Sequence, residues 1–202
     1  ANHSDEYYYQ IRDLDKDKKK FNKLVDYKRA ARTIYLNKAC FNGLYRVNKE
    51  GKFNVPPGVY KNPLICDEIN LQICSKLLKN VEITFGNYEN ILNIGEGSKT
   101  FVYFDPPYRP IKENKSFTSY DKSGFNDDDQ IKLSKNFKKL DKKKCFIMLS
   151  NSDPKNINKN DNFFDDLYKN FQITRIFAKR MINCKSSGRG NITEIIVTNY
   201  KV

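Results

Sequence analysis

Four apolar or aromatic residues, Phe101-Val102-Tyr103-Phe104, run directly into Asp105-Pro106-Pro107-Tyr108. The first four read as a buried strand. Two successive prolines fix φ and remove two N–H donors, so neither a strand nor a helix continues through them. The chain must leave a sheet here by a stiff turn that presents carbonyl oxygens outward. An acid stands at the first position of that turn and a flat ring at its last. Ligands of open α/β sheets bind beyond the carboxyl ends of strands, so the stretch predicts both a sheet and a site upon it.

The surrounding pattern agrees. From position 81 onward strands and helices alternate, which defines an α/β class. Candidate strands are Val81–Phe85, Thr100–Phe104, Cys145–Ser150, Gln172–Ala178 and Asn191–Tyr200, the last two antiparallel. A helix is expected from about Asp127 to Leu140, and "DNFFDDLYKN" suggests another. Positions 1–80 differ in texture. Tyr7, Ile11 and Leu14, then Phe21, Leu24, Ala31, Ile34 and Tyr35, recur at helical spacing, as two helices parted by a lysine-rich gap at 16–20. "LYRV-NKEG-KFNV" reads as a hairpin whose turn is closed by Gly51. A helix over 67–79 follows, with Asp67 as its N-cap. No internal repeat is visible.

At 202 residues the chain holds one generous domain or two small ones, and 27 Phe and Tyr side chains supply a core. The net charge of +13 is spread over both halves, with 16 basic against 9 acidic residues in positions 1–80 and 21 against 15 in the rest. That excess suits a polyanion; a Lys- and Asn-rich composition from an AT-rich genome would also produce it. The five cysteines (Cys40, Cys66, Cys74, Cys145, Cys184) lack a CxxC spacing, and His3 is the single histidine, so no metal site is expected. Their apolar neighbours suit buried, reduced thiols. With no long apolar run and no opening signal peptide, the expectation is a soluble, cytoplasmic protein without membrane partners.

The turn itself suggests its ligand. The carboxylate of Asp105 and the carbonyl of Pro106 can each accept one hydrogen of an exocyclic amine, while Tyr108 stacks on the ring that bears it. This matches the amino edge of adenine. The N6 lone pair is delocalised into the ring and is a poor nucleophile; two acceptors hold the amine, favour its pyramidalisation and aim the lone pair at an incoming methyl group. A loop that merely ends a strand is the plainer alternative.

These residues resemble the DNA adenine methylase family, amino-methyltransferases whose catalytic motif is Asp-Pro-Pro-Tyr. The likeness extends to "IYLNKACFNGLYRVNKEGKFNVPPGVYKNP", which is similar to the family's DNA-recognition hairpin, and to "SFTSYDKSGFNDDDQ", "FIMLSNSD" and "CKSSGRGNITEIIVTNY" further along. It implies a Rossmann-like class I methyltransferase sheet over 81–202 and a helical DNA-recognition subdomain over 1–80, with its hairpin near 41–60. It further implies S-adenosylmethionine as methyl donor and double-stranded DNA as partner, probed by flipping the adenine out of the stack. Asp105, Pro106, Pro107 and Tyr108 would form the catalytic turn. Phe41 and Asn42 would wedge into the duplex, Phe41 standing where the family usually has Tyr. Leu44 and Arg46 would contact bases, Arg46 reading guanine O6 and N7, with Pro56 and Tyr60 at further contact positions. "ITFGNYENIL" resembles the segment that binds the donor's adenine, through Asn87 and Tyr88 together with Asp105. Asn87 stands where an acid is usual and also suits a plain turn; Arg46 also suits a solvated hairpin arginine.

One family element has no counterpart. No Phe-x-Gly-x-Gly cofactor loop occurs, and Gly95-Glu96-Gly97 precedes a strand instead of following one. By the resemblance, strand 81–85 belongs at the far edge of a sheet whose intervening strands are expected outside these residues, from another chain, or lost in a remnant. The implied activity is adenine-N6 methylation of duplex DNA, with GATC as the site. The alternatives are an inactive or partial DNA-binding fragment and an RNA adenine methyltransferase. The hairpin argues against RNA, since A-form major grooves exclude side chains.

Overall fold

The computed structural model describes residues 4–93, 99–110, 124–179 and 191–201. Gly95–Gly97, the first part of "SFTSYDKSGFNDDDQ", Cys184 and His3 lie outside them. The chain divides into two compact units, Ala1–Thr84 and Phe85–Val202.

In the first unit, α1 (Asp5–Arg12), α2 (Lys18–Asn22) and α3 (Asp26–Ala39) precede the hairpin segment, and α4 (Glu68–Leu78) follows it. The lysine-rich gap is corrected in part: the chain does break at non-helical Asp17, but Asp17 accepts from the Lys20 amide and caps α2 within the expected gap. A second break falls at 23–25, where extended Val25 begins α3. Tyr8, Leu36, Ala39, Cys40, Phe53 and Val55 form the core. Its anchor is ionic. Arg32 pairs with Asp15 at 2.8 Å and donates to the carbonyls of Ile11 and Arg12, at 2.9 and 2.6 Å. Asp15 also accepts from the Phe53 amide at 2.8 Å. One buried pair thereby ties the helices to the hairpin.

The hairpin is slighter than expected, with isolated bridges Val47↔Phe53 and Cys40↔Pro57 in place of a ladder. Its turn is as read: the Gly51 amide donates to the Asn48 carbonyl at 2.8 Å, with Gly51 at φ +71. Asp67 caps α4 through the Asn70 amide, but α4 buries none of its residues. Cys74 on α4 and Cys66 just before it are exposed, contrary to expectation, while Cys40 and Cys145 are buried. Residues 81–85 form no strand, a second correction. Their alternation supplies propensity, but a strand exists only through a ladder, and no described strand pairs with them; Phe85 is fully exposed.

Among the described residues the second unit holds a four-stranded mixed sheet built from β1 (Phe101–Phe104), β2 (Phe146–Ser152), β3 (Gln172–Lys179) and β4 (Asn191–Thr198), in the order β1-β2-β4-β3. β1 and β2 are parallel; β4 runs antiparallel to both β2 and β3. Between β1 and β2 lies α5 (Asp127–Lys142), opened by a capping box of Asn126 and Asp129. Its Leu133, Phe137 and Leu140 are buried with Val102, Phe104, Ile147, Leu149, Ile195 and Val197 of the sheet. Full burial of such a side chain stabilises by about 1.5–3 kcal/mol. Phe137 also meets Phe171 and Tyr168 edge-on, at centroid distances of 4.8 and 5.3 Å. Short α6 (Phe163–Leu167) completes this core with Phe164. The sheet that carries the turn is therefore rigidly seated.

Candidate active site

β1 alternates out and in, burying Val102 and Phe104 while Phe101 and Tyr103 face outward. Phe104 is paired with Leu149 of β2, so the next residue on each strand, Asp105 and Ser150, meet beyond the carboxyl end of β1. The Ser150 hydroxyl donates to Asp105 Oδ1 at 3.2 Å and lies 2.8 Å from the Tyr103 hydroxyl. Asp105 and Pro107 are exposed, and Pro106 and Tyr108 half-buried. Burial pushes the Tyr108 phenol above its ordinary range. A hydrogen bond with Ser150 opposes that, and the charges of Glu194 and Asp105 add to it.

The backbone of the turn is held by buried amides that sequence reasoning missed. Gln130 Nε2 donates to the Pro107 carbonyl at 3.0 Å. Asn151 Nδ2 donates to Gln130 Oε1 at 3.1 Å, and Asn151 Oδ1 accepts from the Arg109 amide at 2.9 Å. Ser152 Oγ donates to the Arg109 carbonyl at 2.6 Å. The next side chain locks the exit. Arg109 makes a two-pronged bond to Asp127 at 2.8 and 3.0 Å, pairs with Asp161 at 2.8 Å and lies over the Phe163 ring. The Asp127 bonds raise the guanidinium's affinity for its proton against the effect of burial. The only hint of this clamp in the sequence was the polar run Ser150-Asn151-Ser152 ending an apolar strand.

Of the residues expected near the donor's adenine, Tyr88 packs edge-on against Phe104 at 6.5 Å and against Phe125 at 6.2 Å. It belongs to the wall behind the turn, with its phenol pushed up by burial. Asn87 is exposed, and its Oδ1 accepts from the Glu89 amide at 2.9 Å. This is the local bond of a turn residue, and it leaves one lone pair of the oxygen for a ligand.

The hairpin residues belong to the first unit. Phe41, Asn42, Arg46, Pro56 and Tyr60 are exposed. Asn42 at φ 53 and Gly43 at φ 62 make successive left-handed steps, which Asn and Gly tolerate best and which turn the Asn42 side chain outward. Leu44 instead packs against the Tyr8–Val55 core. The Arg46 guanidinium is tied across the hairpin to Asn54, at 2.8 Å to its side chain and 3.1 Å to its carbonyl. Among the described residues no cluster of three metal-ligating side chains occurs, and no helix is long and apolar enough to cross a membrane.

A mixed α/β sheet bearing an acid-Pro-Pro-Tyr turn at a strand's carboxyl end is compatible with a methyltransferase fold. The chain belongs to the D12 class N6 adenine-specific DNA methyltransferase family, whose model matches residues 1–182. It is 53% identical over 196 residues to the type II methyltransferase M.MjaIII of Methanocaldococcus jannaschii, covering 96% of this chain and 65% of that protein. It is 45% identical to the type II methyltransferase M1.LlaDCHI of Lactococcus lactis subsp. cremoris, covering 98% and 67%. A DNA adenine methylase of Vibrio cholerae is 31% identical, with 96% and 66% covered. The chain thus spans about two thirds of the length of these relatives.

Proposed function

We propose that this chain, within its natural gene product, transfers a methyl group from S-adenosylmethionine to N6 of adenine in duplex DNA, with GATC as the site. The observation that carries the reading is the Asp105–Tyr108 turn, whose carboxylate is exposed while its backbone is held by Gln130 at Pro107 and, one residue beyond the turn, by Asn151 and Ser152 at Arg109. Asp105 and the Pro106 carbonyl accept the two N6 hydrogens, and Tyr108 stacks on the flipped ring. Pro107, its carbonyl occupied by Gln130, keeps the turn stiff. Such preorganised acceptors lose nothing to rearrangement when the substrate arrives. The sulfonium donor supplies an electrophilic methyl group. Tyr88, packed on Phe104, and the remaining lone pair of Asn87 are assigned to the edge and amino group of its adenine.

For DNA we assign Phe41 and Asn42 to the wedge, Arg46 to guanine, and Pro56 and Tyr60 to flanking contacts. Leu44, turned to the core, acts by supporting the wedge and offers only its edge to a base. The excess of 16 basic over 9 acidic residues in positions 1–80 supports a polyanionic partner. One observation favours a second reading, a DNA-binding fragment without activity of its own: the sequence holds no Phe-x-Gly-x-Gly. Calorimetry with S-adenosylmethionine on this chain and on the natural gene product separates the two.

The test of the catalytic assignment is Asp105→Ala in the natural gene product. Methyl transfer is expected to vanish while duplex affinity stays within a few fold, because phosphate contacts dominate affinity. Transfer near the wild-type rate would remove Asp105 from the chemistry.

A further inference from the structure

The Ser150 hydroxyl stands between two groups. It is 3.2 Å from Asp105 Oδ1 and 2.8 Å from the Tyr103 hydroxyl. Its residue is buried in β2. A serine hydroxyl has one proton and two lone pairs. An ionised carboxylate only accepts, so the single proton of Ser150 must go to Asp105. Tyr103 must then donate into one of its lone pairs, and the two bonds together orient the hydroxyl.

We propose that Ser150 is a positioning residue of the candidate site: it occupies Asp105 Oδ1 and turns Oδ2 toward the substrate amine. This rests on the catalytic reading of Asp105 above and adds the group that aligns it. The register of β1 on β2 places Ser150 there, and Tyr103, on the outward face of β1, holds the hydroxyl from the other side. Ser150 touches neither donor nor base; it acts through Asp105.

Removing the hydroxyl frees the carboxylate to rotate, and misplacement of about 1 Å at a reacting centre can cost on the order of 100-fold in rate. In the natural gene product, Ser150→Ala is expected to lower kcat by about 10- to 100-fold, with KM for DNA and for the methyl donor little changed. Ser150→Thr, which keeps the hydroxyl, is expected to recover most of the rate. A purely structural role would lower thermal stability in both variants and spare kcat per folded molecule. Equal losses in Ser150→Ala and Ser150→Thr, or wild-type kcat in Ser150→Ala beside an inactive Asp105→Ala control, would overturn the proposal and leave the enzymatic reading standing. An active Asp105→Ala control would sink the catalytic reading instead.

Discussion

The turn after β1 and the hairpin near 41–60 are both exposed protrusions, yet they are built in opposite ways. The turn rests on Gln130, Asn151 and Ser152, all buried, whose side chains hold its backbone from below. The hairpin has two isolated bridges, and its candidate reading residue Arg46 is tied only to exposed groups of Asn54. A group that must act on one atom gains from being fixed beforehand. A group that must exchange one set of partners for another gains from ties that break cheaply. The difference teaches where substitutions register: below the turn they cost stability and rate together, whereas on the hairpin they cost discrimination and little stability.

The largest effect is expected beneath the turn. Phe137→Ala removes a fully buried ring from the α5–sheet core and should destabilise the second unit by about 3–5 kcal/mol. Hydrogen exchange read by mass spectrometry should show β2 and β4 opening while peptides of α1 and α3 keep their protection. Equal loss of protection in both units would mean that they do not unfold separately.

A middle effect is expected from the clamp. Asn151→Ala strands the buried amide of Ser152 and the half-buried amide of Arg109, both of which donate to Asn151 Oδ1, at about 1–3 kcal/mol for an unsatisfied group. The urea midpoint should fall with an unchanged slope, and methyl transfer should fall further than the folded fraction does. An Asn151→Ala protein as active per folded molecule as wild type would show that the turn needs no clamp.

Local chemistry made much of this legible. The strand stop at Asp105, the N-cap Asp67 and the Gly51 turn each follow from a few adjacent residues, and β3 and β4 pair antiparallel as read. What was hidden joins distant positions. Gln130 and Asn151 reach a turn 23 and 42 residues away, and Arg32 reaches Asp15 across two helices. An amide in a helix reads the same whether it faces solvent or a carbonyl. The misreading of 81–85 has a related cause: its alternation is the same with or without a neighbour to pair with. Apolar neighbours suggest an interior for Cys66 and Cys74 alike, but α4 packs none of its residues, Cys74 among them, into a core, and Cys66 just before it is exposed.

The smallest effect on stability should carry the largest effect on specificity. Arg46 is exposed and bonded only to Asn54, so Arg46→Ala should change folding stability by no more than about 0.5 kcal/mol. If it exchanges Asn54 for guanine O6 and N7, the same substitution removes a bidentate pair that discriminates by about 1–3 kcal/mol. The preference for a cognate duplex over a one-base variant should then fall by roughly 10- to 100-fold, and the salt dependence of binding should hold. Lys49, exposed at the hairpin turn, is the control. If it meets a phosphate, Lys49→Ala should weaken binding to every duplex and make the salt slope shallower by about one unit. Titration of both variants against cognate and altered duplexes at several salt concentrations decides the matter. Should Arg46→Ala weaken both duplexes equally and flatten the slope, the hairpin is an electrostatic clamp, and the contrast with the turn is one of rigidity alone.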